Sequence, residues 1–181
     1  VIEAIHDHVM KARARQLRFL AMTRRAPQSN ARPPHFVRAN KHGFVTHVDL
    51  KAIGAAVEAS AREAEVVLLA SVGLHVAFGQ RIASVNGCDK EAAKNIGAAV
   101  SRAIRLERQR DILIDPSYGI EQLETIAWTS ISTSKSNPAP GLLTIFSLRD
   151  VLARWSAEAK PDAPEKIFPV VCLDDTPRRL L

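Results

Sequence analysis

Cysteine, tyrosine and tryptophan are scarce in this chain of 181 residues, which has two cysteines, one tyrosine and two tryptophans. Cys88 and Cys172 lie far apart with no C-x-x-C pair and no third thiol. That spacing argues against a zinc site and a disulfide framework, and makes a reducing compartment the simpler setting. With six phenylalanines besides, the chain has no dense stacking platform for single-stranded nucleic acid. Long hydrophobic runs are missing too: the longest, Val66 to Ala70, is far short of the roughly 20 residues that cross a bilayer. No secretory h-region opens the sequence, and no P-loop, G-x-G-x-x-G or G-x-S-x-G elbow occurs in it. The first residue is Val1 rather than Met, from which a preceding N-terminal part is expected.

What is present is an ordinary globular balance, 46% apolar and 24% charged, enough for a real core. The charge is unevenly placed. Residues 1 to 40 carry Lys11, Arg13, Arg15, Arg18, Arg24, Arg25, Arg32 and Arg38 against Glu3 and Asp7, a net of 8 − 2 = +6. The other residues hold 17 basic and 17 acidic side chains, from 25 − 8 and 19 − 2. A neutral domain therefore follows a basic arm, which could meet nucleic acid, anionic headgroups or the cytoplasmic face of a membrane, or could simply be solvated.

Over residues 2 to 20, Ile2, Ile5, Val9, Ala12, Leu17 and Leu20 recur near one stripe, which predicts a basic amphipathic helix. "RRAPQSNARPP", 24 to 34, is a proline-bearing linker. Val37, Phe44, Val45 and Val48 predict two strands broken at "NKHG", and Asp49 caps a helix to about Arg62. "EVVLLAS" reads as a buried strand, after which Gly73, Gly79 and Gly87 separate short strand pieces. Asp89 caps a helix to Leu106 with Ile96, Val100, Ala103 and Ile104 on one face. A helix from about Tyr118 to Ser130 should bury Ile120, Leu123, Ala127 and Ile131. After the loop "STSKSNPAPG", a third from Leu142 to Glu158 should bury Ile145, Leu148, Leu152 and Trp155, and one strand falls near Ile167 to Leu173.

The expected fold is α/β of the α+β kind. A basic juxtamembrane-like helix (1–24) and a linker (25–33) lead into a small β-rich module with an inserted helix (34–87). That module packs against a helical half (89–158), which a tail with one strand (159–181) follows.

Residues with chemistry to offer form no strong constellation. His6 and His8, two apart on a helix, point about 200° apart and cannot share an ion as an i, i+4 pair would. His35, His42, His47 and His75 could meet across the β module, but no spacing requires it. Ser71, Ser84 and the serines of "TSISTSKS" have no recognisable base, nor has Cys88. The carboxylate pairs Glu121/Glu124 and Asp174/Asp175 are of a kind common on surfaces. "VGLHVAFGQRIASV" is similar to half of a biotin or lipoyl carrier motif, but its Met-Lys-Met setting is absent and no carrier is expected. No metal or cofactor is expected either.

"GFVTHVDLKAI", "LHVAFGQRIASV" and above all "ERQRDILIDPSYGIEQLETIAW" resemble an uncharacterised bacterial predicted membrane protein family, whose members carry N-terminal transmembrane helices followed by a soluble domain. The resemblance covers roughly residues 1 to 175. It is sharpest in a D-P-x-[FY]-G-I-x-Q-L pattern, here Asp115, Pro116, Tyr118, Gly119, Ile120, Gln122 and Leu123. The resemblance implies that residues 1 to 20 leave the membrane and that a transmembrane part precedes them. Further on, Ser132 and Pro138 match the family's turn, while Thr129 replaces an arginine and Asn137 an aspartate, so chemistry through those two groups would be lost.

The expectation is a domain on the cytoplasmic side of a bacterial inner-membrane protein, acting in ligand sensing or assembly rather than catalysis. Its candidate ligand or interaction corner is Asp115, Tyr118, Gly119, Gln122, Ser132 and Asn137, and its membrane-facing basic set is Lys11, Arg13, Arg15, Arg18, Arg24 and Arg25. Its partners would be the membrane, through the preceding transmembrane part and anionic headgroups, and a second copy in a homo-oligomer. A hydrolase using the Asp115 to Ser132 region, and a nucleic-acid binder using the basic arm, are the competing readings. The hydrolase would place Asp115 or Ser132 within about 3 Å of a histidine.

Overall fold

Two aspartates start two helices by the same device. Asp49 Oδ1 accepts from Ala52 N at 3.0 Å, and Asp89 Oδ1 accepts from Glu91 N and Ala92 N at 3.0 and 2.9 Å, each satisfying backbone donors that a first helical turn leaves open. The structure, a computed structural model, describes residues 1–28, 32–133, 138–158 and 161–173. In chain order it forms α1 (Ile2–Ala21), β1 (His35–Arg38), β2 (Gly43–Val48), α2 (Leu50–Ser60), β3 (Glu65–Leu68), β4 (His75–Val76) and β5 (Arg81–Asn86). Then come α3 (Lys90–Ala103), β6 (Ile104–Glu107), α4 (Pro116–Thr133), α5 (Ala139–Ser156) and β7 (Val170–Val171). The fold is α+β.

The strands make two sheets, ordered β1-β5-β3-β7 and β4-β2-β6. All pairings are antiparallel except β3 with β7. The short "ANKH" link thus carries the chain from one sheet to the other rather than closing a hairpin between β1 and β2. Val45, Val48, Val66, Ile82 and Val85 supply the shared core, and α2 and α3 cover it with Ile53, Val57, Ile96 and Val100. The sequence pattern ran one helix on to Leu106, but α3 stops at Ala103. From Ile104 the burial alternates with period two, Ile104 and Leu106 in, Arg105 and Glu107 out, and this short run is β6, paired with β2. The division expected at 87–89 consequently does not separate two packing units, since α3 packs on α2, β1 and β5 and β6 belongs to a sheet.

Helices α1, α4 and α5 form a separate layer around Val9, Ile120 and Val151, with Ile5, Met10, Leu148 and Trp155 packed against them. Phe19, Leu20 and Met22 at the other end of α1 pack on the sheet core, so this helix joins the two. Within the layer, His6 meets Asp150 and Arg13 meets Trp155 and Glu158, so α1 runs parallel to α5. Val9 lies against Gly119 and Arg15 reaches Leu113, so α1 runs antiparallel to α4. The start of α1, the last turn of α4 and the first turn of α5 therefore share one end of the molecule. The inner face of α5 also differs from expectation: Gly141, Thr144 and Val151 are buried, while Ile145 is 41% and Leu152 50% exposed. On α4, Ile120, Leu123 and Ala127 are buried and Ile131 is half exposed. Helix α1 packs on one side of the α4–α5 hairpin, and among the described residues Trp128, Ile131, Leu142, Leu143, Ile145 and Phe146 on its other sides are exposed.

Candidate functional site

The most specific motif lies where the chain passes from β6 into α4. Residues 111 to 115 form a turn, with Ile114 N and Asp115 N donating to the Asp111 carbonyl at 3.2 and 3.0 Å. Pro116 then begins α4, its fixed φ suited to a first helical position and its missing N–H no loss there. Asp115 stands just before it, and its Oδ1 accepts from Tyr118 N at 3.2 Å and from the Ser117 hydroxyl at 2.7 Å. Its Oδ2 accepts from Arg110 Nε at 2.7 Å. Arg110 also donates to Ser117 Oγ at 2.9 Å and to Glu121, and stacks 4.9 Å from the Tyr118 ring centre. Asp115 and Ser117 are each 1% exposed. Burial pulls the Arg110 pKa down, but the hydrogen bonds and charges of Asp115 and Glu121 outweigh it, so the guanidinium is held above its ordinary range.

The motif's glycine and its neighbour across the corner are explained by close approach. A Cβ on Gly119 would stand 2.4 Å from Val9 Cγ2, so the missing side chain is what lets α1 and α4 come together. A Cβ on Gly73, whose φ is +85°, would stand 2.1 Å from Asp115 Oδ2. The carboxylate is thus seated on the loop between β3 and β4, and the corner fastens the helical layer to the sheets.

The expected candidate residues do not assemble. Asp115, Tyr118 and Gly119 share the corner and Gln122 lies half-buried one turn on, but Ser132 is 17 residues further along the helix, about 25 Å at 1.5 Å per residue. Its hydroxyl donates to the Trp128 carbonyl at 2.7 Å. Asn137 and the pair Asp174/Asp175 lie outside the described residues. Among the described residues, the hydrogen-bond partners of Asp115 and Ser132 include no histidine. His6 is bound to Asp150 at 2.8 Å, and His75 stacks edge-on with Phe44 at 4.9 Å. Among the described residues no group of three or more His, Cys, Asp and Glu could hold a metal ion, and neither cysteine is in a disulfide.

Two members of the basic set have partners within the protein. Arg13 is 7% exposed, because its guanidinium is clamped by Glu158 at 2.8 and 2.9 Å and lies 4.6 Å from the Trp155 ring centre. Arg24 is joined into the first sheet: its N–H donates to the Val170 carbonyl at 2.8 Å, and its side chain faces the fully buried Glu65 at 3.8 Å. Arg13 is therefore enclosed by protein, whereas Arg24 keeps 36% of its side chain exposed. Lys11, Arg15, Arg18 and Arg25 are exposed, with Arg15 donating to the Leu113 carbonyl at 2.8 Å.

The residues that pattern reading missed are apolar and exposed. Trp128, Ile131, Leu142, Leu143, Ile145 and Phe146 are between 41% and 74% exposed, all near the α4–α5 connection. No charged residue occurs in 125–133 or 138–148. At the other end of α1, a cavity of about 1000 Å³ opens between α1, α2 and residues 161–168. Leu17, Ala21, Ala55 and Phe168 line it together with Arg18 and Lys51.

Residues 1–171 match the family model described as predicted membrane protein (DUF2254), and the chain belongs to that family. No curated protein and no solved structure matches it. No helix among the described residues is long and apolar enough to cross a membrane.

Proposed function

We propose that this chain is the extramembrane domain of a bacterial inner-membrane protein, standing on the cytoplasmic side after an N-terminal transmembrane part. Its work is ligand sensing or assembly, and it performs no catalysis. The observation that carries this reading is the common end shared by the first turn of α1 and the facing ends of α4 and α5, whose residues 125–133 and 138–148 carry no charge. A chain leaving the bilayer into α1 would bring that end closest to the lipid and hold the sheets and the cavity away from it.

The Asp115 corner supports a role without catalysis. A general base needs a free lone pair aimed at substrate, whereas this carboxylate is buried and already accepts from an arginine, a hydroxyl and a helix N–H. The cavity beside α1 supports sensing. Its size is that of a small-molecule site, its walls are mostly apolar, and α1 passes from it to the shared end, so a ligand there would touch the helix leading to the membrane.

Fractionation and protease protection of the full-length protein in cells test the reading. The domain should pellet with inner membranes and be cleaved only when protease reaches the cytoplasmic face. Recovery of the full-length protein in the soluble fraction, or cleavage from the outer face of intact spheroplasts, would overturn it.

A further inference from the structure

The geometry points to a second membrane contact: the last turns of α4 and the first turns of α5 dip into the interfacial layer of the bilayer. The inference rests on the membrane-domain reading above and names the surface that meets lipid. Six large apolar side chains are exposed there, within 20 described residues that hold no charge (125–133 and 138–148). Monomeric soluble proteins seldom present such a cluster to water.

The distribution around α5 favours lipid over one protein partner. Gly141 and Thr144 take the inward side. Ile145, Leu142, Phe146 and Leu143 span an exposed arc about 160° wide at 100° per residue. Trp128 and Ile131 of α4 are exposed as well, so the apolar surface belongs to the ends of two helices side by side, as contact with a lipid layer requires. Charge begins again at Arg149, Asp150 and Arg154, two and more turns from the start of α5, where the helix becomes amphipathic. Trp128 adds an aromatic of the type that settles between headgroups and acyl chains; it is 74% exposed, whereas Trp155 is packed against Arg13. The exposed basic residues Arg18 and Arg25 lie toward the far end of α1, a helix of 20 residues that is about 30 Å long. The apolar hairpin end, rather than the basic arm, is therefore the membrane-contacting surface.

Flotation of the 181-residue chain with neutral phosphatidylcholine vesicles, read together with tryptophan emission, tests this. The chain should float, its emission should shift to the blue, and added salt should leave both unchanged. Phe146→Asp and Leu143→Asp should each weaken retention about tenfold or more. Both side chains are more than half exposed, so the melting temperature should hold and serve as the folding control. Trp155→Phe should keep the blue shift and Trp128→Phe should remove it, and Arg18→Glu with Arg25→Glu should float as before. The inference is overturned if neutral vesicles retain nothing, or if only phosphatidylserine vesicles do and salt releases the chain. It is equally overturned if Phe146→Asp instead disperses a dimer, which would make a second copy the occupant. Fractionation of the full-length protein separates the two failures. A protein that pellets with membranes while its isolated chain ignores vesicles sinks this inference alone, and a soluble full-length protein sinks the domain reading as well.

Discussion

Replacing Asp115 by alanine should destabilise the domain by about 3 to 4 kcal/mol, a large part of the 5–15 kcal/mol typical of a folded domain. Two losses add. The helix N-cap contact to Tyr118 N disappears, which costs about 1 kcal/mol. Arg110, with its side chain 13% exposed, loses its most buried partner, and breaking a buried pair from one side costs about 3–5 kcal/mol. Arg110 still has Glu121 and some water, so a value just under that range, about 2–3 kcal/mol, applies. For a chain of this length the sum lowers the melting temperature by roughly 10 °C, measurable by thermal and urea unfolding followed by circular dichroism. Asp115→Asn keeps a capping oxygen and removes the charge, so it should cost less than alanine. Removing both charges, as Arg110→Met with Asp115→Leu, should recover part of the loss because no uncompensated cation remains. If Asp115→Ala melts within about 2 °C of the parent, the corner does not fasten the helical layer, and its carboxylate would have to be explained by function instead.

Gly119→Ala should destabilise by about 1–2 kcal/mol, although alanine is the better helix former by about 1 kcal/mol. The new methyl meets Val9 Cγ2, on a stiff and fully buried side chain that cannot swing away. Val9→Ala in the same chain should relieve most of that clash, giving a coupling in a double-mutant cycle that two independent sites would not show. Acid should weaken the domain through Glu58 and Asp150. The hydrogen bond from Lys166 lowers the first, and those from Arg154 and then His6 lower the second. Groups with folded values below their unfolded ones contribute stability above the unfolded value and lose it as pH falls through the folded one, here from about pH 4 downward. Glu58→Gln with Asp150→Asn should therefore flatten the acid limb of a stability curve, an effect kept small by the exposure of both pairs.

Elements whose cause is local were legible in the sequence. Asp49 and Asp89 act within three residues of themselves, and the apolar period of α1, α3 and α4 marks their buried faces. Mixed α and β content was likewise readable. The end of α3 was not, because Ile104 and Leu106 satisfy a helical period and a strand period equally, and pairing with β2, distant in sequence, decides between them. At the corner, Asp115, Tyr118 and Gly119 stood out as members of the D-P-x-[FY]-G-I-x-Q-L pattern. Their partners are distant or unforeseen: Arg110 five residues back, Gly73 on another loop and Val9 on another helix. The α4–α5 connection misled for a different reason. Ile131, Ile145 and Leu152 look like core positions because apolar spacing records that a side chain avoids water, without recording what covers it.

The most direct measurement is photo-crosslinking in native membranes, with a photoreactive residue placed in the full-length protein at Phe146 in one variant and at Arg25 in another. Lipid adducts found by mass spectrometry at position 146 and none at position 25 are the predicted result. Adducts at 25 without any at 146, or protein adducts alone at 146, would contradict the account.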